Sequence, residues 1–268
     1  MYKGFRFVGS MASINEQRVM QRTIIEQLLL EQLGQRVKLL DVGVGDGREL
    51  DALLDSETIM AMLTEVVTLD IEDWLTEEIA TLPNLAEAAS KLTFVLGRAE
   101  HLIRLFEAES FDIVHCGFVF HEIPYGRPKE QAIKGCFSAL KRGGILIYSD
   151  MFLDNRLSDK PQLEASRRQI VQCLYGQYLR EADAALKEKR LTKEEWEMLR
   201  GDGTKPGLLK SMNDALSGED GFYESLGVCI DRLLNCGFVQ LRVYPNRLNR
   251  FLYIIVAHKP TEEDNNHV

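Results

Sequence analysis

A glycine-rich loop between two apolar patterns is the part of the chain most suited to bind a ligand. In the segment VKLLDVGVGDGREL, Gly43, Gly45 and Gly47 follow an apolar run and precede a helical pattern. Glycine has no Cβ, so the backbone can turn sharply and approach a ligand closely. Asp70 ends the next apolar run, 23 residues after Gly47, near the spacing at which a carboxylate binds ribose hydroxyls in dinucleotide folds.

The glycine spacing separates the candidate ligands. A dinucleotide fingerprint reads G-x-G-x-x-G, whereas this loop reads Gly43-Val44-Gly45-Asp46-Gly47. Asp46 would add a negative charge where a pyrophosphate binds at a helix N-terminus. The loop therefore disfavours NAD, and a ligand with an amino-acid end and no phosphate meets no such objection.

Two further positions carry groups that can move protons. His121 precedes Glu122, and imidazole and carboxylate are common general bases and metal ligands. The sequence has no H-E-x-x-H pattern, so we favour a structural role for His121 over base catalysis and predict no metal site. Asp150 follows the fifth strand pattern at its carboxyl end, the side at which ligands bind in open α/β sheets. It is predicted to act as a general base or to cap the following turn.

Composition and cysteine usage narrow the class of protein. The five cysteines of the 268-residue chain form no C-x-x-C pair, which predicts reduced thiols in the core. Lys and Arg number 32 against 41 Asp and Glu, a net charge of −9, which disfavours nucleic acids and anionic membranes as partners. No apolar run approaches the roughly 20 residues of a membrane helix, and the first residues lack a signal-peptide pattern. We expect a cytoplasmic protein.

Short apolar runs alternate with helical patterns, which predicts an α/β sheet with helices on both faces. The predicted strands are Val37–Val42, Val66–Ile71, Leu92–Leu96, Phe111–Cys116, Ile145–Tyr148, Val239–Tyr244 and Phe251–Ala257. The predicted helices of this part are Asn15–Leu33, Glu49–Leu54, Trp74–Leu82 and Lys129–Leu140. In the first helix, Val19, Ile24, Leu28, Leu29 and Leu33 are expected to face the core. Pro245–Arg250 is short enough to join the last two strands as an antiparallel hairpin.

A charged helical stretch interrupts the alternation after Tyr148. It contains a long predicted helix, Gln162–Lys189, and a second that begins at a capping box of Thr192 and Glu195. The glycines and proline of Gly201–Gly207 end the second helix, and a last helix ends at Gly237. We divide the chain into a core with its N-terminal helix (1–152), a helical insertion or lid (153–225), completion of the sheet (226–260) and a flexible tail (261–268).

Five segments, in this order, resemble the motifs of the class I S-adenosylmethionine-dependent methyltransferases. They are LDVGVGDG, GRAEHL, FDIVHCGFVFHEIP, LKRGGILIYSD, and CGFVQLRVY followed by FLYIIVAHK. The resemblance covers most of residues 37–152 and the last hairpin. It implies a Rossmann-like, seven-stranded, mostly parallel sheet with an antiparallel last strand, and S-adenosylmethionine as cofactor.

The same resemblance implies which residues hold the cofactor. Asp41 and the backbone of Gly43, Gly45 and Gly47 would bind its methionine end, with Cys116 and Gly117 as the floor. Asp70 would bind the ribose hydroxyls, Ile71 beside it would also contact the cofactor, and Arg98, Ala99 and Glu100 would lie at the adenine. Arg98 replaces the family's usual Asp, and arginine can only donate hydrogen bonds. Adenine recognition then falls to the Ala99 backbone, to Glu100, or to stacking by Arg98.

The implied activity is methyl transfer to an O, N or C atom of a small molecule. The insertion is expected to cover the pocket, with Tyr175 and Tyr178 contacting substrate and Arg247 and Arg250 binding an anionic group. Alternatively, the charged helices are the solvated faces of a helical cap or a contact in a homodimer.

Three competing functions stay open on the sequence. The long helical segment also resembles the carboxy-S-adenosylmethionine synthases, although those depart at the glycine loop. Arg98 and the lack of an unmistakable base are compatible with a non-catalytic binding or partner subunit. A nicotinamide oxidoreductase is the most remote because of the glycine spacing.

Overall fold

The computed structural model describes residues 12–33, 36–73, 81–153, 172, 176, 179–189, 191–200 and 222–263. The strands are β1 (Val37–Val42), β2 (Leu63–Asp70), β3 (Leu92–Leu96), β4 (Phe111–Gly117), β5 (Leu140–Met151), β6 (Val239–Pro245) and β7 (Leu252–His258). They form one seven-stranded sheet in the order β3-β2-β1-β4-β5-β7-β6. Strands β1 to β5 pair in parallel, and β7 is antiparallel to both β5 and β6.

This topology confirms the predicted fold class, including the closing antiparallel hairpin. Because β1 to β5 are parallel, their carboxyl ends lie at one edge of the sheet. The glycine loop after β1, Asp70 at the end of β2 and Asp150 near the end of β5 are therefore at the same edge. Open α/β sheets bind ligands at this edge.

Helices cover both faces of the sheet. They are α1 (Ala12–Leu28, continued by a π turn, Leu29–Leu33), α2 (Arg48–Leu54), α3 (Glu57–Met62), α4 (Pro83–Glu87), α5 (Leu102–Leu105), α6 (Arg127–Ala139), α7 (Lys193–Arg200) and α8 (Leu226–Cys236). One apolar cluster includes side chains of α1 to α4, and the other includes side chains of α5, α6 and α8. In β4 every residue except Asp112 is buried, as expected for a strand covered on both faces. The predicted helix Trp74–Leu82 falls largely outside the described residues.

Helix α1 departs from its predicted buried face. Ile24, Leu28 and Leu29 are buried as expected, but Val19 is 52% exposed. The first three turns bury Ser13, Gln17 and Gln21 instead, which recur every four residues on one side of the helix. Hydrophobicity could not identify this face, because it meets polar side chains of the sheet.

The described part of the insertion packs at the carboxyl end of β5. Residues 179–187 are helical. A set of buried residues packs together here, and we call it the cap cluster: Met151, Leu153, Ala182, Ala185, Leu199, Tyr223 and Leu252. The indole Nε1 of Trp196 donates a 2.9 Å hydrogen bond to Asp183, which joins α7 to the preceding helical residues. The division of the chain into domains stays a prediction, because most of residues 153–225 lie outside the described ranges.

Within those ranges, every helix is too short or too polar to cross a membrane.

Candidate cofactor and acceptor site

The glycine loop begins with a close contact to the loop after β4. Gly43 has φ +74°, and its N–H donates a 2.7 Å hydrogen bond to the carbonyl of Leu69. A Cβ at Gly43 would lie 2.3 Å from Cγ2 of Val119. By contrast, a Cβ at Gly45 would meet no atom within 4 Å. The loop is thus tightly packed at its first glycine and open at its second.

Asp70 lies against the open part of this loop. Its Oδ2 accepts a 2.7 Å hydrogen bond from the N–H of Gly45, and its Oδ1 accepts one of 3.1 Å from the N–H of Glu72. The next residue, Ile71, is 57% exposed. These three features fit a nucleoside in the open space beside Gly45. Its ribose hydroxyls would face the half-buried carboxylate of Asp70, and its flat ring would lie on the exposed apolar side chain of Ile71.

Asp46 occupies the start of helix α2. Its Oδ1 accepts a 3.2 Å hydrogen bond from the backbone N–H of Arg48, and Oδ2 lies 3.5 Å from Nε of the same residue. A first-turn amide that would contact a pyrophosphate is therefore bonded to the chain's own carboxylate. This arrangement agrees with the sequence argument against a dinucleotide.

The segment after β3 reaches the same edge. The N–H of Gly97 donates a 2.7 Å hydrogen bond to the carbonyl of Asp70. Arg98 is exposed and forms a 3.0 Å ion pair with Glu100, whose side chain is 12% exposed, and Ala99 is buried between them. Arg98, the residue that departs from the family's motif, thus forms an ion pair with the carboxylate of Glu100.

The end of β4, which was predicted to form the floor beside the cofactor's methionine end, is deeply buried. Cys116 belongs to the apolar cluster with α6, its Sγ 3.9 Å from Cys136 Sγ. Burial raises the pKa of the Cys116 thiol well above its usual value, so it stays protonated and does not act as a nucleophile. A Cβ at Gly117 would come within 3.0 Å of the His115 ring.

Asp41 is paired with a histidine that the sequence reasoning missed. Asp41 is 2% exposed, and its Oδ1 lies 2.5 Å from Nδ1 of His115 on the neighbouring strand. The two residues are register partners in β1 and β4. A histidine inside an apolar strand was the available signal, but strand pairing was needed to place it beside Asp41.

His121 and Asp150, the two candidates for proton transfer, form one pair. Nδ1 of His121 lies 2.7 Å from Oδ1 of Asp150, and the backbone N–H of His121 donates to Oδ2 at 3.1 Å. The N–H of Met151 also donates to Oδ1, at 2.8 Å. Asp150 is buried and receives three hydrogen bonds, so its carboxylate is arranged to orient His121.

This pairing determines the charge of His121. Burial lowers its pKa, but attraction and hydrogen bonding to Asp150 outweigh that effect and raise the pKa to about 10. His121 is therefore an imidazolium at neutral pH and donates from both nitrogens. Nε2 lies 3.1 Å from the carboxylate of Glu122, whose side chain is 66% exposed, and the hydrogen bond from His121 lowers the pKa of Glu122.

The segment that leaves the insertion packs against His121. The ring of Tyr223 stacks on the imidazole with 5.1 Å between centroids and 6° between planes, and the N–H of Phe222 donates to the carbonyl of His121 at 2.8 Å. Tyr125 donates its hydroxyl to the carbonyl of Tyr223, and Lys129 donates to that of Phe222 at 2.6 Å. An aromatic wall thus lies beside His121. Sequence reasoning missed it because its partners are about a hundred residues apart.

The predicted substrate residues are only partly described. Tyr175 and Tyr178 lie outside the described residues. Arg247 and Arg250 are exposed in the loop between β6 and β7, and Arg250 lies 4.7 Å from the ring centroid of Phe251. The carbonyl of Phe251 accepts a 2.8 Å hydrogen bond from Phe152, which holds the end of this loop beside the strand end that carries Asp150.

No group of three His, Cys, Asp or Glu side chains that could hold a metal ion occurs in the described ranges.

Residues 40–148 match the model of a methyltransferase domain family. A comparison with curated protein sequences gave no match.

Three solved structures share the fold over most of the chain. The CurJ carbon methyltransferase matches with TM-score 0.61 and 14% identity, over 94% of this chain and 56% of that one. An O-methyltransferase family protein from Burkholderia thailandensis gives 0.54 and 13%, over 96% and 62%. A SAM-dependent methyltransferase from Methanosarcina mazei gives 0.50 and 22%, over 89% and 98%. The chain therefore has the Rossmann-like fold of these methyltransferases, its residues 40–148 match a methyltransferase domain, and both findings support S-adenosylmethionine as the cofactor.

Proposed function

We propose that this protein transfers a methyl group from S-adenosylmethionine to an O, N or C atom of a small molecule. The observation that carries the proposal is the contact of Asp70 with the N–H of Gly45, next to open space and an exposed Ile71. This arrangement supports a nucleoside site at the end of β2. The related folds include a carbon and an O-methyltransferase, so fold alone does not select the acceptor atom.

In this proposal the cofactor contacts follow the predicted residues. Asp70 binds the ribose hydroxyls, Ile71 packs on the adenine, and Ala99 and Glu100 bind its edge. The Gly43–Gly47 backbone and Asp41 hold the methionine end, above Cys116 and Gly117. When bound, the cofactor supplies a methyl group whose carbon–sulfur bond breaks as the acceptor's electron pair attacks.

The residues beside this site favour orientation over proton removal. His121 is charged at neutral pH and so has no lone pair free to take a proton from the acceptor, and Asp150 already accepts three hydrogen bonds from the protein. We assign His121 to hold an electron-rich group of the acceptor through Nε2–H, with Tyr223 as an apolar wall. Glu122, being largely exposed, can leave Nε2 without disturbing the core. The protein's contribution is then mainly to align the reactants and exclude water from the reacting atoms, and a proton that the acceptor atom loses passes to the solvent after the transfer.

Small-molecule acceptors are favoured by the net charge of −9, and by the cap cluster at the carboxyl end of β5. Cytoplasmic location and a homodimer remain predictions.

The test is calorimetric binding of S-adenosylmethionine, S-adenosylhomocysteine and NADH, followed by detection of S-adenosylhomocysteine release with a panel of small acceptors. Binding of the first two ligands without NADH, with release that depends on an acceptor, is expected. Binding without release from any acceptor would favour a non-catalytic subunit. A mass shift in the bound cofactor would favour the carboxy-S-adenosylmethionine synthase alternative.

A further inference from the structure

A chain of buried polar side chains runs from helix α1 to Asp41 at the start of the glycine loop. His115, which is fully buried, lies between Asp41 and Gln21. Its Nδ1 is 2.5 Å from Oδ1 of Asp41, and its Nε2 is 2.5 Å from Oε1 of Gln21. Both ring nitrogens are thus engaged, and the imidazole plane is held from two sides.

Helix α1 and strand β5 hold Gln21 in turn. The amide nitrogen of Gln21 donates to the hydroxyl of Ser149 at 3.0 Å, and Gln17 donates to the same oxygen at 2.9 Å. Gln17 also accepts a 3.0 Å hydrogen bond from Asn246. The structure places the amide nitrogen of Gln21 at Ser149 and its amide oxygen, which can only accept, at Nε2 of His115. In this orientation Nε2 of His115 is the donor to Gln21, and Nδ1 is the ring nitrogen that contacts Asp41.

The second oxygen of Asp41 is left without a partner. Oδ2 is buried and has no hydrogen bond to any described residue. A buried carboxylate oxygen without a donor is costly, and Asp41 lies two residues before Gly43. The cofactor's amino-acid end carries an ammonium group, which has three donors and would satisfy this oxygen.

We propose that His115 is a positioning residue, which holds Asp41 so that Oδ2 receives the ammonium group of the cofactor. This inference rests on the proposed function. Helix α1, through Gln17 and Gln21, then becomes part of the cofactor site although it lies outside the matched domain of residues 40–148. His115 itself touches neither the cofactor nor the acceptor.

The experiment compares two ligands that differ only in the amino group: S-adenosylhomocysteine and its deaminated analogue, 5′-S-(3-carboxypropyl)-5′-thioadenosine. Dissociation constants are measured by calorimetry on the full chain. The wild type is expected to bind the analogue about 10- to 100-fold more weakly, the value of a charge-assisted hydrogen bond. His115→Gln loses the donor to Asp41 and should bind both ligands about equally. His115→Asn keeps a donor at the position of Nδ1 and should restore most of the preference.

A second variant tests the same hydrogen-bond network while leaving His115 unchanged. Gln21→Met removes the partner of Nε2 and should reduce the preference for the ammonium about three- to tenfold, whereas Gln27→Met, on the exposed side of α1, should not change it. If His115→Gln fails to fold, Gln21→Met decides the question.

The outcomes separate this inference from the proposed function. Equal loss of affinity for both ligands in His115→Gln or Gln21→Met would mean a merely structural network and overturn the inference, as would an unchanged preference. A wild type that binds S-adenosylhomocysteine and the analogue equally would also overturn it, with the proposed function intact. A wild type that binds neither would overturn both.

Discussion

The main-chain amide of Gly45 donates a 2.7 Å hydrogen bond to Oδ2 of Asp70. The glycine loop after β1 and the end of β2 are thus joined at the carboxyl edge of the sheet. The contact fixes where the carboxylate lies before any ligand binds. Preorganisation of this kind reduces the entropic cost of binding.

Asp70 is expected to dominate cofactor affinity. Asp70→Asn should weaken binding of S-adenosylhomocysteine roughly 100-fold, because up to two charge-assisted hydrogen bonds to the ribose are lost. In thermal unfolding, S-adenosylhomocysteine at 100 times its dissociation constant should raise the free energy of unfolding of the wild type by about 2.7 kcal/mol. The same ligand concentration should stabilise the variant far less. Glu72→Gln, a neighbouring exposed carboxylate, is the matched control. Similar shifts in all three proteins would refute the role of Asp70.

Replacing Gly43 by alanine should mainly lower stability, whereas replacing Gly45 by alanine should mainly lower ligand affinity. Gly43→Ala places a Cβ 2.3 Å from Val119 at a positive φ, so we expect roughly 3 kcal/mol less stability. Gly45→Ala meets no neighbour and should cost about 1 kcal/mol for its positive φ, yet its methyl group would enter the ligand space. Urea unfolding and ligand titration measure the two effects. A Gly45→Ala protein with wild-type affinity would place the ligand elsewhere.

The charge of His121 predicts a pH-dependent contribution to stability. Its pKa is about 10 in the folded protein and 6.5 ordinarily, so the stabilisation is complete below about 6.5 and declines as the pH rises towards 10. His121→Gln should therefore cost on the order of 3 kcal/mol near pH 6, and this deficit should shrink steadily to a small value above pH 10. Urea unfolding across this range gives the curve.

His101→Gln, on an exposed residue, is the control and should show little deficit at any pH. A His121→Gln deficit that is the same at both ends of the range would show that the ion pair with Asp150 is not formed.

The cap cluster should contribute to global stability. Leu199 is 1% exposed and packs with Met151 and Tyr223, so Leu199→Ala should cost about 2 to 4 kcal/mol by leaving a cavity. Leu30→Ala, at a side chain 68% exposed, should cost close to nothing. Two separate unfolding transitions in the wild type would instead show a cap that folds independently of the sheet.

Much of the carboxyl edge of the sheet, where the cofactor is proposed to bind, could be anticipated from local patterns. The run VKLLDV predicted β1 with the bounds it has, and LDVGVGDG followed by a helical pattern placed the glycine loop at its end. Asp70 was placed correctly because the end of a parallel strand always lies at this edge. These inferences succeed because strand burial, glycine geometry and helix periodicity are decided by neighbours in sequence.

The pairings within the site could not be anticipated in this way. His115 beside Asp41, His121 on Asp150, and Tyr223 stacked on His121 each join residues from separate strands or segments. In α1, Val19 was likewise expected to face the core, but it is exposed, and Gln17 and Gln21 are buried instead. A buried polar side chain is tolerated only where a distant partner satisfies it, and strand register decides which partner that is.

The sequence by itself determined the sheet, the glycine loop and the carboxylate at the end of β2, since each depends on local backbone preference and hydrophobic period. The tertiary structure alone decided the charge of His121, because its pKa depends on burial and on Asp150, 29 residues away. It also decided that His115 supports Asp41, because only the pairing of β1 with β4 brings the two within hydrogen-bond distance.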